Sequence, residues 1–202
     1  MYGSPAARMN GARMGQTAFT TLESARLILR RLTEADFASL LAYLNDPLVA
    51  RYQSWESYTE AGARELIERQ KNLTPGQPGP WFNFALELKE TGALAGHVAL
   101  CVREDAPAQA EIGFTLARSF QGKGLAAEAA RRVLAYAFGE LGLHRVVAIT
   151  DTENASSIAL LERLGMRREG HFIQNVWFKG KWGDEYQYAL LREEWLRQTN
   201  GV

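Results

Sequence analysis

The middle of the chain holds three runs in which apolar residues recur at every second position, joined by connections too short to contain a helix. In residues 82–88, Phe82, Phe84, Leu86 and Leu88 alternate with Asn83, Ala85 and Glu87. Thr91-Gly92 turns the chain into residues 94–102, and Ala106-Pro107-Ala108-Gln109 leads into residues 111–116. A period of two belongs to a strand. Strands joined by short turns pair antiparallel, because a parallel pair needs a crossover of about a dozen residues. An antiparallel meander is therefore predicted at the centre of the fold.

On either side the period lengthens. Leu27 and Leu29 alternate with Arg26, Ile28 and Arg30, a short strand with both faces partly buried. Thr33-Glu34-Ala35-Asp36 has the form of a capping box with Asp in place of Glu, and Phe37, Leu40, Leu41 and Leu44 follow at helical spacing. Asn45-Asp46-Pro47 stops that helix. Thr59 caps a second one carrying Ala63, Leu66, Ile67 and Gln70, and the Pro/Gly-rich residues 75–80 form a loop. After the meander, residues 124–141 place Leu125, Ala129, Val133, Ala137 and Leu141 on one side of a long helix ended by Gly142. A strand over 145–150, a helix over 155–164 closed by Gly165, and a hairpin of 172–178 and 186–191 complete the order. This is an α+β or mixed α/β sandwich with a mixed sheet, read as one domain over 22–202. Residues 1–18 are small and flexible in composition, without the apolar run of about 7 to 15 residues that a secretory signal needs. Residues 1–21 are expected to be a disordered leader.

Composition removes several classes of function. Lys+Arg and Asp+Glu are each 23, so no global field attracts a nucleic-acid backbone or an anionic membrane. Cys101 is the single cysteine, which excludes an internal disulfide and any zinc site built on several cysteines, and fits a cytoplasmic location. No apolar run approaches the roughly 20 residues that cross a bilayer. His97, His144 and His171 lack ligand spacing, so no metal is expected.

The chemistry concentrates in Gln121-Gly122-Lys123-Gly124-Leu125-Ala126, which joins a strand to the long helix. Two glycines and a small Ala let a ligand approach the backbone. The first helical turn offers unpaired N–H groups at the positive end of the dipole, a combination suited to phosphate. A Walker loop is excluded, since no Gly-Lys-Ser/Thr ending is present. Gly122-x-Gly124-x-x-Ala127 fits a dinucleotide pattern, but the acidic residue closing the next strand, Asp151, lies 27 positions after Gly124 where about 20 are expected. A tight turn without a ligand is the plain alternative.

Gln121-x-x-Gly124-x-Ala126 resembles the acyl-CoA pyrophosphate loop of the GNAT superfamily of N-acetyltransferases. Ala110-Glu111-Ile112-Gly113-Phe114, the segment from Asn154 and Ser157 through Glu162, Gly165-Met166 and Glu169-Gly170, the N-terminal Arg26-Leu27-x-Leu29-Arg30-x-Leu32-Thr33-x-x-Asp36, and the ending Asp184-Glu185-x-x-Tyr188-x-Leu190-Leu191-x-x-Glu194-Trp195 resemble further motifs of its RimJ/RimL-like branch, in order, over about residues 22–196. The resemblance implies a mostly antiparallel sheet splayed in the middle and flanked by helices. It implies acetyl-CoA as cosubstrate, with its pyrophosphate on the N–H groups of Gln121, Gly122, Lys123, Gly124, Leu125 and Ala126 and its pantetheine along Phe114, Thr115 and Leu116, held by the Asn154 side chain. Glu111 is implied as the base and Ser157 as the group that steadies the leaving thiolate. Structural alternatives stand beside each: an ion pair with a neighbouring Arg for Glu111, a helix N-cap for Asn154, a helix-surface position for Ser157. The tyrosine many members use as acid has no counterpart in 167–176, and Tyr188 reads as structural. Tyr52, Trp55, Tyr58, Trp81 and Phe82 are placed around the acceptor side, with Trp177 and Trp182 flanking the same cleft. The acceptor implied is an amine, a protein N-terminus or a small molecule, and a homodimer is compatible with the branch. The alternative from another class is a CoA-binding module without catalysis.

Overall fold

The computed structural model describes residues 19–200. Its elements are β1 (Leu22–Glu23), β2 (Leu27–Arg30), a 3-10 turn at Glu34–Asp36, α1 (Phe37–Leu44), α2 (Pro47–Ala50), α3 (Glu60–Lys71), β3 (Phe82–Leu88), β4 (Leu94–Val102), β5 (Gln109–Leu116), α4 (Leu125–Gly139), β6 (Arg145–Asp151), α5 (Ala155–Arg163), β7 (Arg167–Phe178), β8 (Lys181–Leu191) and α6 (Arg192–Asn200). The strands form one sheet in the order β1-β2-β3-β4-β5-β6-β8-β7. Every pair is antiparallel except β5 with β6, which are joined by the crossover helix α4.

The meander forms as expected, but its alternation in sequence does not become an alternation of burial. Residues 82–86 of β3 are buried on both faces. Phe82, Phe84 and Leu86 pack with Val133, Leu134 and Phe138 of α4, while Ala85 packs with Leu40, Leu44 and Ile67 of α1 and α3. Helices thus cover both sides of the central strands. The buried Gln70 side chain is satisfied at this strand: its Oε1 accepts from the Asn83 backbone N–H (2.8 Å) and its amide nitrogen donates to the Trp81 carbonyl (3.0 Å).

The capping residues act as the sequence implies. Asp36 accepts hydrogen bonds from the Thr33 N–H (2.7 Å) and hydroxyl (3.0 Å), and also takes both arms of Arg30 (2.7 and 2.8 Å). Thr59 caps α3 through Gly62 N–H (3.1 Å). Asp46 and Pro47, expected only to end α1, also begin the single turn of α2, with Asp46 accepting from Leu48 N–H (3.0 Å). The last helix was not expected. Its sequence is mostly polar, and it docks through Trp195 against Phe138 (ring centroids 6.0 Å apart), through Glu194 paired with Arg167, and through Gln198 Nε2, which donates to the Gly165 carbonyl (3.4 Å). Residues 1–18 of the expected leader lie outside the described residues, whereas Phe19 packs edge-on against Phe82 and Phe84 at 5.4 and 5.6 Å.

The sheet opens at one place. β5 pairs with β6 only over Gln109, Ala110 and Glu111, against Arg145, Val146 and Val147. Beyond Glu111, β5 stays with β4 as far as Leu116, while β6 stays with β8 as far as Asp151. The two strands therefore diverge and leave a splay in the middle of the sheet.

Candidate active site

A cleft of about 370 Å³ fills this splay. Its walls are residues 111–114 of β5, residues 148–151 of β6, Asn154, Ser157 and Leu161 of the following helix and its cap, Val176, Phe178 and Glu185 of the hairpin, and Tyr52, Gln53, Ser54 and Trp81 from the loops.

Glu111 is half-buried at the start of the divergence, and its carboxylate makes no hydrogen bond or ion pair among the described residues. The nearest arginine influence comes from Arg103, whose guanidinium is instead forked onto Asp105 (3.0 and 2.7 Å). Burial raises the Glu111 pKa above the ordinary carboxylate value, and the Glu185 carboxylate raises it further. An unpaired carboxylate of raised basicity facing a cleft differs from one locked in a surface ion pair. In the sequence Glu185 stands only as part of the C-terminal motif. Its place on β8 opposite Asp151 brings it into the cleft, and Asn175 Nδ2 donates to it at 2.6 Å.

The turn between β5 and α4 leaves a run of backbone N–H groups open. Gly122 (φ 73°) and Gly124 (φ 77°) are both left-handed, a conformation that side chains with a Cβ rarely adopt. The first helical bond, Glu128 N–H to the Gly124 carbonyl (3.1 Å), leaves the N–H groups of residues 122–127 without a partner among the described residues. Gln121 is arranged differently from its neighbours. Its N–H donates to the Arg118 carbonyl (3.2 Å) and its side-chain amide to the Leu116 carbonyl (2.9 Å). It closes the turn onto the end of β5, so the open N–H groups begin at Gly122. Lys123 is exposed at the rim, its ammonium 5.6 Å from the Phe120 ring centroid.

Asn154 caps α5, its Oδ1 accepting from Ser157 N–H (3.2 Å), and both residues line the cleft. The cap occupies the Asn154 oxygen and leaves its Nδ2 donors for another partner. The Ser157 hydroxyl makes no hydrogen bond among the described residues. Phe114 faces the cleft, while the side chains of Thr115 and Leu116 are buried, so any ligand there meets their backbone.

The aromatic residues divide. Tyr52 and Trp81 line the cleft, but Phe82 is core, and Trp55 packs with Tyr58 (5.5 Å) while its Nε1 donates to the Leu44 carbonyl (3.1 Å). Trp177 and Trp182, expected beside the cleft, pack edge-to-face on each other at 5.5 Å and remain 61% and 56% exposed. The pleat explains the correction: Val176 and Phe178 take the cleft face of β7, so Trp177 between them points away. Tyr188 is buried with its hydroxyl donating to Glu162 (3.2 Å), a structural role. Among the described residues no group of three His, Cys, Asp or Glu is placed to hold a metal, and no helix is long and apolar enough to cross a membrane.

A family model described as an acetyltransferase (GNAT) domain matches residues 26–167. The chain belongs to the GNAT acetyltransferases. Over 174 residues it is 32% identical to YnaD, an uncharacterised N-acetyltransferase of Bacillus subtilis, covering 86% of this chain and 98% of that one. A solved GNAT-family acetyltransferase from Bacillus anthracis shares the fold with a TM-score of 0.79 and 31% identity, over 87% of this chain and all of the other (100%). A spermidine N-acetyltransferase from Vibrio cholerae, solved with CoA and spermine, matches in fold at a TM-score of 0.74 and 24% identity, over 85% and 98% of the two chains. This GNAT protein is thus an acetyl-CoA-dependent N-acetyltransferase, and the splay and the open N–H turn are the features of its own fold that suit such a cosubstrate.

Proposed function

We propose that the protein acetylates a cationic amine in the splay between β5 and β6, with Glu111 as base. The observation that carries this reading is the charge of the cleft. Among the described residues, its walls hold three carboxylates, Glu111, Asp151 and Glu185, and no Lys, Arg or His. An amine reaches such a cleft as an ammonium ion, attracted by the acids and by the face of Trp81, whereas the Tyr52 ring already carries the Arg51 guanidinium 5.0 Å from its centroid.

Acetyl-CoA supplies the activated acetyl thioester. The N–H groups of residues 122–126 are suited to its phosphates, and the unpaired edge of β5 at Phe114, Thr115 and Leu116 suits the amides of its pantetheine arm, with the Asn154 Nδ2 as a further donor. The acceptor must shed a proton before it can attack, since an α-amine has a pKa of about 8 and a lysine amine about 10.4. Glu111, raised by burial and by Glu185, is suited to take that proton directly or through one water. Backbone N–H groups along the diverging β5 edge would be the donors available to the thioester oxygen. The Ser157 hydroxyl is the donor available to the leaving thiolate. The acceptor classes raised by the sequence, a protein N-terminus or a small amine, are separated by charge: the cleft favours those with a second positive group and disfavours those with a carboxylate beside the amine.

The test is acetyl-CoA turnover with a panel holding spermidine, a peptide with a free N-terminus and a basic sequence, its acidic counterpart, and free amino acids. Turnover should favour spermidine or the basic peptide over the acidic peptide by about tenfold or more in kcat/KM, about 1.4 kcal/mol. Glu185→Gln should narrow that ratio. A preference for the acidic acceptor, or no acetyl transfer to any member, contradicts the reading.

A further inference from the structure

The mechanism leaves one charged group beside the phosphate-binding turn without a role. Arg26 stands just before β2, about a hundred residues from the turn in sequence, yet its side chain reaches it. Its Nε donates to Glu128 Oε2 (2.7 Å) and its Nη1 to the Lys123 carbonyl (3.0 Å). Its remaining nitrogen, Nη2, makes no hydrogen bond among the described residues and would lie 3.6 Å from a Cβ added at Gly124. The guanidinium is thus pinned at two points, with its free arm over the glycine that opens α4. The side chain is 50% exposed, so that arm is accessible.

Glu128 makes the arrangement necessary. It lies in the first turn of α4, where a carboxylate favours the helix dipole but opposes an incoming anion. It is also fixed there. Its Oε1 accepts from the Ser24 hydroxyl (2.7 Å) and the Arg26 N–H (2.7 Å), neither of which depends on the Arg26 side chain. Burial opposes ionisation, but these hydrogen bonds and that of the guanidinium hold its pKa below the ordinary value, so it stays charged.

We infer that Arg26 is a positioning residue of the phosphate-binding turn, which cancels the fixed charge of Glu128, ties down the Lys123 carbonyl and turns one free cationic arm toward the phosphates of the cosubstrate. This rests on the assignment of residues 122–126 to the CoA phosphates. Without the guanidinium the turn would meet a diphosphate with a bare carboxylate behind it. The Lys123 carbonyl would also be free to swing, turning an acceptor toward the anion.

Arg26→Gln, Glu128→Gln, the double variant and Gly124→Glu test this, each as the full chain with its melting temperature recorded. Isothermal titration with CoA and steady-state kinetics are the readouts. Arg26→Gln should weaken CoA binding about tenfold and raise KM for acetyl-CoA similarly, with kcat at saturation and the acceptor KM within about twofold of wild type. The loss should shrink in high salt, because it is Coulombic in part. Adding Glu128→Gln should restore at least half of the lost affinity on a logarithmic scale, which a purely structural role for Arg26 would not produce. Wild-type CoA affinity in Arg26→Gln, or no recovery in the double variant, overturns the inference. If Gly124→Glu also binds CoA normally, it is the phosphate assignment that fails; if only Gly124→Glu loses binding, the inference about Arg26 fails alone. Should Arg26→Gln not fold, Arg26→Lys serves in its place. It keeps the charge but cannot fork between Glu128 and the Lys123 carbonyl, so KM for acetyl-CoA should rise about threefold or more, and a wild-type KM overturns the inference.

Discussion

Replacing Glu111 with Gln preserves the shape of the cleft wall and removes the group proposed to accept the proton. Because the Glu111 carboxylate makes no hydrogen bond or ion pair among the described residues, the substitution breaks no partner and should leave the melting temperature nearly unchanged. Any large effect then belongs to catalysis. Positioned bases contribute about 10² to 10⁴ in rate, so at pH 7 turnover should fall at least about a hundredfold, some 2.7 kcal/mol of barrier. The sign with pH follows from the acceptor. With an amine of pKa about 10.4, only about one molecule in 2,500 is neutral at pH 7, whereas half is neutral near pH 10.4. The deficit of Glu111→Gln should therefore shrink steadily toward high pH. On the acid side, wild-type activity should fall as pH drops through the Glu111 pKa, which burial and Glu185 hold above the ordinary carboxylate value, and the variant should lack that limb. The assay is a pH–rate profile of kcat/KM for both proteins with one acceptor. Parallel profiles, even with a large constant loss, would refute the base role and leave Glu111 as a contact to the acceptor cation.

Two further predictions concern the scaffold. Asp36→Ala leaves the Arg30 guanidinium, with only about a fifth of its side chain exposed (21%), paired to Glu87 alone; breaking a largely buried pair costs about 3 kcal/mol, read as a fall in the melting temperature of about 6–12 °C, and an unchanged temperature would show the pair to be idle. His97, buried against the Tyr43 hydroxyl (Nδ1 at 2.7 Å), has its pKa lowered from 6.5 to about 4 by burial. Between those values the unfolded chain binds the extra proton, so stability should decline as pH falls from about 6.5 to about 4, by up to about 3 kcal/mol. Denaturant titrations at several pH values should show that slope in wild type and not in His97→Gln, and equal slopes would contradict it.

The sequence was most informative where a local rule acts alone. The period of two located β3, β4 and β5, and Gly122 and Gly124 announced a turn needing left-handed backbone. Gly165, also left-handed, sits just past the end of α5 where it was expected, whereas α4 stops at Gly139, two residues before the expected Leu141, with left-handed Gly142 following. It was least informative where tertiary contact decides. The mostly polar sequence of α6 becomes a helix by docking Trp195 on Phe138 and pairing Glu194 with Arg167, partners that its local pattern does not reveal. Glu185 enters the cleft through the register of β8 against β6, which places it opposite Asp151, and its isolated position on the chain carries no such information. Trp177 and Trp182 were misplaced because the pleat, not hydrophobicity, determines which of Val176, Trp177 and Phe178 faces inward. Arg26 illustrates the same limit. It is one arginine of a short strand motif until the fold carries it to Glu128 and the Lys123 carbonyl.

The central claim is that acetyl-CoA lies with its phosphates on the open turn before α4 and its arm along the diverging edge of β5. Amide chemical shifts of the full chain during a titration with CoA test it directly. The largest shifts should fall on the N–H groups of residues 122–127, with further shifts along residues 112–116 and at Asn154, and the Gln121 N–H, already bonded to the Arg118 carbonyl, should move less than that of Gly122. Shifts concentrated elsewhere, with residues 122–127 unmoved at saturation, would contradict the account.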